Sequence, residues 1–283
     1  MVVTVPTSLT DALATLASRP GATVVAGGTD LMVEVNGGHR ALVDVVAVHR
    51  IGELRSWIHD PGASTLRIGA GVTYAEIERP PLSDLVPALA QAARTVGSPQ
   101  IRHAATLGGN VATASPAGDG LPVLAALDAV VHLASLDGER SVAFADFVVG
   151  PKRTIRAPGE LVVAITVPLL RGWQGYAKVG VRNAMVISAA GACLAIDVPT
   201  RSVRLALGSV GPVVIRCTDA EALAAEHVDF EAGAVADAIV ERFADAAARA
   251  ARPIDDHRAT AAYRSHAVSV LARRLLRRAF PHG

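Results

Sequence analysis

Cysteine is almost absent: Cys193 and Cys217 are the only two in 283 residues. Two thiols cannot build a disulfide framework, and they exclude a four-thiolate zinc or iron–sulfur site within this chain. Such scarcity points to a reducing compartment. Aromatic residues are equally sparse at 4%, so the core must be assembled from Ala, Val and Leu. Charge of one sign is lacking too. Against 26 Asp+Glu stand 27 Lys+Arg, which leaves no global field to draw nucleic acid or an anionic membrane. Long hydrophobic runs are missing as well: the longest uncharged one, residues 184–196, is broken by Ser188 and is too short to span a bilayer. Met1 to Pro6 carries no positive stretch before an apolar core, so no secretory leader is expected. What is present is a 51% hydrophobic content, enough for a sizeable core in one large or two modest domains and incompatible with general disorder. The expectation is a soluble, cytosolic protein of mixed helix and strand.

Along the chain, Leu9, Leu13 and Leu16 recur at helical spacing behind a cap at Ser8 or Thr10, up to Arg19-Pro20-Gly21. Strands are predicted at residues 23–26, 41–48, 66–72, 130–134, 141–143 and 161–167, with Asp137-Gly138 as a hairpin turn. Helical texture marks 73–77 and 87–96. Residues 97–122, rich in Gly, Ser, Thr, Asn and Pro but poor in charge, read as a long positioning loop. A boundary falls near 170–175. Strands at 177–181, 188–196 and 203–210 follow, then helical sequence at 218–251 and a last helix at about 260–279. Its stripe is expected to be Tyr263, Ala267, Val270 or Leu271, and Leu275, with Arg264, Arg273, Arg274, Arg277 and Arg278 on a solvated face or a docking surface.

Two segments carry chemistry. Gly27-Gly28-Thr29-Asp30 closes a buried strand, where adjacent glycines let backbone N–H groups approach a ligand unhindered and Thr29 adds a hydroxyl. Thr106-Leu107-Gly108-Gly109-Asn110 repeats the hydroxyl and glycine pair, with Ser115-Pro116-Ala117-Gly118-Asp119 just downstream. Together they would clamp the two phosphates of a dinucleotide, with Asp119 accepting from ribose hydroxyls. A turn and a capped, ordered loop remain the plainer alternatives. Neither segment is G-x-G-x-x-G or a Walker loop, and no G-x-S-x-G is present. His39, His49, His103 and Cys193 read as structural.

The two segments, Val25-Ala26-Gly27-Gly28-Thr29-Asp30-Leu31 and Gln100-Ile101-Arg102-His103 through Thr106–Asn110 to Asp119, resemble the paired FAD signatures of the molybdenum hydroxylases. The likeness is to the separate medium subunit of bacterial carbon monoxide dehydrogenases and xanthine-dehydrogenase-like enzymes. It continues through Pro158-Gly159-Glu160-Leu161, Lys178-Val179-Gly180-Val181-Arg182, Asp255-Asp256-His257-Arg258 and Tyr263-Arg264, in order over nearly the whole chain.

The resemblance implies an α+β chain. Residues 1–172 would form a vanillyl-alcohol-oxidase (PCMH)-type FAD-binding fold of two subdomains, about 1–56 and 57–172. Residues 173–283 would form a C-terminal α+β domain. It implies that Val25 to Leu31 and Thr106 to Asn110 wrap the pyrophosphate of a noncovalent FAD and that Asp119 holds ribityl or ribose hydroxyls. Val96, Val162 and Lys178 would border the flavin, Lys178 stabilising negative charge on its reduced form. It assigns no catalytic acid or base and no metal to this chain. Molybdopterin and [2Fe–2S] are implied only on a large and a small partner subunit, in a dimer of three-chain units. A self-standing flavin oxidase or reductase, or a flavin-binding assembly module, are the alternatives. Two departures stand out: Met185-Val186 lacks the acidic residue that often follows Ala-Met, and Val148-Val149 replaces a frequent aromatic pair.

Overall fold

The computed structural model describes residues 1–282. Its first sheet is parallel and three-stranded, in the order Val2–Thr4, Asp44–Ala47, Thr23–Val25. The helix Leu9–Ser18 covers it, capped by Ser8 Oγ, which accepts from the Asp11 N–H at 3.1 Å. Its apolar spacing places Ala12, Leu13 and Leu16 against Val46, Val48 and Ile51, and this cluster also takes in Ala134, Leu161 and Val163 from the next sheet.

That second sheet is antiparallel and five-stranded, in the order Trp57–Asp60, Thr65–Gly69, Leu161–Pro168, Val130–Ser135, Gly138–Ala143. Alternation decides its faces: Leu66 and Ile68 are buried, whereas Thr65 and Arg67 between them are not. Against the apolar face pack Pro87–Thr95 and Gly120–Ala126, forming the largest core.

A third sheet, antiparallel and four-stranded, runs Gln174–Val179, Ala190–Asp197, Ser202–Gly208, Ile215–Arg216 in chain order. Strand Ala190–Asp197 is apolar throughout because both of its faces are covered. Ala190, Ala192, Leu194 and Ile196 join the core under Thr218–His227, Asp237–Ala250 and Ala261–Ala279, while Cys193 and Ala195 join the core of the second sheet. The second half of the longest apolar run, from Ala190 on, is thus a doubly buried strand, whereas Ala184, Met185 and Ile187 before it are exposed. No helix among the described residues is long and apolar enough to cross a membrane.

Three expectations need correction. Residues 97–122 are not a loop. They hold the helices Pro99–Ala104 and Leu107–Thr113 and enter a third, Gly120–Ala126. Ser98 and Thr106 cap the first two with their hydroxyls, so the Ser and Thr read as loop composition are helix starts. The stretch 218–251 is two helices separated by residues 228–236. In the last helix Tyr263 is exposed and Arg264, not Tyr263, faces inward. Arg264 lies in register with Val268, Leu271 and Leu275, and its Nη1 donates to the carbonyls of Ala189 (2.6 Å) and Ser209 (2.8 Å). Its Nη2 donates to Asp256 Oδ1 at 2.6 Å. Two of the other arginines, Arg273 and Arg277, pair with Glu241 and Asp237 of the neighbouring helix, as on a solvated face.

Replacing Arg264 by Met strands two buried carbonyls and is expected to cost about 2–4 kcal/mol in denaturant unfolding. Asp256 titrates at about 2, below its ordinary 3.8, held down by the Arg258 backbone N–H and by Arg264. A depressed carboxyl stabilises the fold above its ordinary value, and that contribution disappears as the pH falls from about 4 towards 2. In an acid titration, Asp256→Asn is expected to flatten the loss of stability in that window.

Candidate functional site

The two glycine segments meet. A Cβ on Gly27 would lie 1.8 Å from the Ala104 carbonyl oxygen, so the first segment crosses the chain just before Thr106 backbone against backbone. Gly28 follows with φ of +69°, in the left-handed region that glycine occupies without strain. Strand Thr23–Val25 thereby turns into helix Leu31–Asn36, with Ala26 to Thr29 half-buried and Asp30 exposed at the turn. Among the described residues, no backbone or side-chain acceptor takes the N–H groups of Gly27, Gly28, Thr29 or Asp30. Four successive free donors beside a left-handed glycine make a nest for an anionic oxygen.

The second segment behaves differently. Leu107 and Gly108 donate to the carbonyls of Val72 (3.0 Å) and Ala70 (2.9 Å). Gly109 donates to Thr106 Oγ1, and Asn110 to the Thr106 carbonyl, both at 3.0 Å. Its backbone donors are therefore spent inside the chain. The two glycines also differ: a Cβ on Gly108 would strike Ala70 Cβ at 2.4 Å, whereas on Gly109 it would meet only Thr106 Oγ1, at 3.0 Å. Gly108 abuts fixed backbone; Gly109 abuts only its own cap hydroxyl.

From Asn110 the row continues. Ideal Cβ atoms on Gly118 and Gly120 would lie 2.7 and 2.9 Å from the Asn110 amide, so both glycines make room for that side chain. Between them is Asp119, which accepts from Tyr176 Oη at Oδ1 (2.8 Å) and from Lys178 Nζ at Oδ2 (2.6 Å). Thr95 Oγ1 adds a longer bond to Oδ2, 3.4 Å. Lys178 is 8% exposed and spends its other donors on the carbonyls of Thr95 (2.9 Å) and Val186 (3.1 Å). Burial drives the Asp119 carboxyl up, while Lys178, Tyr176 and Thr95 act to hold it down. Burial and then the Asp119 charge push the Tyr176 and Tyr74 phenols well above the usual range.

The sequence-predicted residues fall into three groups. Val25 to Leu31, Thr106 to Asn110, Asp119 and Lys178 form one row from the first sheet to the third. Val96 is half-buried at the end of helix Pro87–Thr95. Val162 is a core residue of strand Leu161–Pro168, 4% exposed. Sequence reasoning missed Tyr176, although it lies two residues before Lys178 on one strand and so on the same face. It also missed Lys152, whose Nζ bridges Asp30 and Glu34 and whose N–H donates to the Ala114 carbonyl, tying the first segment to the end of helix Leu107–Thr113. No local signal joins residues so far apart.

Residues 1–170 match the family described as the FAD binding domain in molybdopterin dehydrogenase. The chain belongs to that family. Residues 176–279 match the CO dehydrogenase flavoprotein C-terminal domain. A putative xanthine dehydrogenase FAD-binding subunit of Escherichia coli K12 is 32% identical over 76% of this chain and 75% of its own length. The glyceraldehyde dehydrogenase medium chain of Sulfolobus acidocaldarius is 31% identical over 93% and 92%. Among solved structures, carbon monoxide dehydrogenase from Hydrogenophaga pseudoflava aligns at TM-score 0.87 with 26% identity, covering 99% of this chain and 96% of that one. Reconstituted CO dehydrogenase from Oligotropha carboxidovorans aligns at 0.89 with 25% identity, covering 99% and 98%. The expected α+β FAD-binding fold is the fold of this chain, which is a flavoprotein component of an oxidoreductase.

The residues fit the cofactor. Free N–H donors at Gly27 to Asp30 suit a pyrophosphate, and Asn110 Oδ1, buried without a partner beside Gly120, offers an acceptor for a cofactor hydroxyl. The contrast between the glycines is measurable. Gly108→Ala is expected to cost about 2–3 kcal/mol through overpacking against Ala70. Gly109→Ala is expected to change stability by no more than about 1 kcal/mol, because a helical glycine gains from a methyl group. Equal costs in chemical denaturation would contradict this difference between the two glycines.

Proposed function

We propose that this chain is the FAD-carrying electron-transfer subunit of a heteromeric molybdenum hydroxylase. Four unclaimed N–H groups at Gly27 to Asp30, on a segment that crosses the backbone just before Thr106, carry this reading. Val25 to Leu31 would hold the pyrophosphate on one side. On the other, Thr106 to Asn110 would offer a wall without a side chain at Gly109, rather than free backbone donors. Asp119 accepts two bonds at Oδ2 and one at Oδ1, and so retains acceptor capacity for a cofactor hydroxyl. Lys178 would set the charge beside the flavin, and Val96 and Val162 would shape the apolar lining behind it.

When bound, FAD would take electrons from a [2Fe–2S] centre on a small partner subunit and pass them to an external acceptor. Both cysteines here are buried and the chain has no others, so the iron–sulfur cluster belongs to another polypeptide. Molybdopterin and the oxidation of substrate would belong to a large subunit, and three-chain units would pair into a dimer. Relatives named as FAD-binding subunit and medium chain support this division of labour. The setting we infer is the cytoplasm, where buried thiols stay reduced.

Acid or heat denaturation of the purified protein is expected to release yellow FAD into the supernatant, because the cofactor is held noncovalently. Colour that stays with the precipitate would mean covalent attachment. Coexpression with large and small subunits encoded beside it is expected to yield one assembly containing molybdenum, iron and FAD. Turnover of a small organic substrate by the isolated chain would instead make it a self-standing oxidase.

A further inference from the structure

Tyr176 has no part in the site as read from sequence, yet it is the second anchor of the Asp119 carboxylate. Strand geometry puts Tyr176 and Lys178, two residues apart, on one face of Gln174–Val179. They reach the same carboxylate from one side, Tyr176 Oη on Oδ1 at 2.8 Å and Lys178 Nζ on Oδ2 at 2.6 Å. The phenol is itself fixed from behind: the Tyr176 N–H donates to Gln91 Oε1 at 2.8 Å, joining its strand to helix Pro87–Thr95. Tyr176 is 6% exposed, and so is shut off from water that would replace its bond.

A buried carboxylate keeps its charge only through such donors. The groups facing Asp119 are few: Lys178 and Tyr176 from the strand, Thr95 from helix Pro87–Thr95, and the Tyr74 phenol from the helix Tyr74–Ile77. Cys193, on the adjacent strand, faces Tyr176. Of these, Tyr74 Oη has no hydrogen-bond partner and Thr95 makes only the long bond of 3.4 Å. Tyr176 is therefore the one neutral donor at close range.

We propose that Tyr176 is a positioning residue that keeps the Asp119 carboxylate ionised against Lys178, so that the pair presents no net charge to the flavin. This rests on the reading that Lys178 borders the flavin. Without the phenol, Asp119 takes up a proton as the pH falls towards neutrality. Lys178, still held by the Thr95 and Val186 carbonyls, then stands as an unbalanced cation and favours the reduced, more negative cofactor.

The test compares wild type, Tyr176→Phe and Tyr74→Phe, with Tyr176→Phe/Asp119→Asn as the reference that removes the carboxyl. Infrared difference spectra of the chains without FAD, taken as the pH is lowered from mildly alkaline to mildly acidic, read the protonated carboxyl stretch directly. That band is expected in Tyr176→Phe before it appears in wild type, and it is expected to be missing from the double variant. In the FAD-loaded proteins the midpoint potential of Tyr176→Phe is expected above that of wild type, with an added pH-dependent step. Tyr74→Phe is expected to match wild type in both measurements. A carboxylate that stays ionised in Tyr176→Phe, or a midpoint and pH profile equal to wild type, overturns the proposal. If Tyr176→Phe takes up no FAD, the infrared arm still decides it. Failure of wild type itself to bind FAD would instead overturn the reading on which the proposal rests.

Discussion

Everything at the site depends on a contact that a side chain would forbid. Gly27 lies against the Ala104 carbonyl so closely that a methyl group would fall inside the oxygen's radius. This places the end of the parallel sheet on the start of helix Leu107–Thr113. The first segment is then free to turn through the left-handed Gly28 with four N–H groups unspent. Unpaired backbone donors are costly where water is excluded, so a stretch that keeps them is either wet or made for a ligand. The chain belongs to a family of FAD-binding domains, and FAD is the ligand we propose for these amides.

A second constraint joins the sheets. Asp119 stands at the start of helix Gly120–Ala126, which shares one core with the five-stranded sheet, and Lys178 stands on the first strand of the third, so their bond joins helix to sheet. Buried ion pairs repay their desolvation poorly as sources of stability. This one is better understood as a device that fixes position and charge between helix Gly120–Ala126 and strand Gln174–Val179. Arg264 does comparable work from the last helix, holding the Ala189 and Ser209 carbonyls. Through the bond from the Ser209 N–H to the Pro116 carbonyl, it also steadies the segment leading to Asp119.

Much of this was legible in the chain. Gly27-Gly28 and Thr106 through Asn110 announced themselves by composition, and the cap at Ser8 begins its helix by local chemistry alone. What escaped depends on distance. Helices of six or seven residues, such as Pro99–Ala104 and Leu107–Thr113, have too few turns to show a period, and the second is anchored by backbone carbonyls of Ala70 and Val72, just beyond the distant strand Thr65–Gly69. Arg264 looked like one more surface arginine because two of its three acceptors, the Ala189 and Ser209 carbonyls, come from residues far along the chain. The occupied backbone of Leu107 to Asn110 was invisible for the same reason: the Ala70 and Val72 carbonyls that take its first two donors carry no mark in sequence.

Amide hydrogen exchange on the purified chain, with and without FAD, tests the central claim most directly, because it reads the individual N–H groups. FAD is expected to slow exchange at Gly27, Gly28, Thr29 and Asp30 strongly. Leu107 to Asn110, already bonded within the chain, should change little. Saturating FAD binding that leaves the four amides of the first segment exchanging as fast as in the free protein would contradict the account.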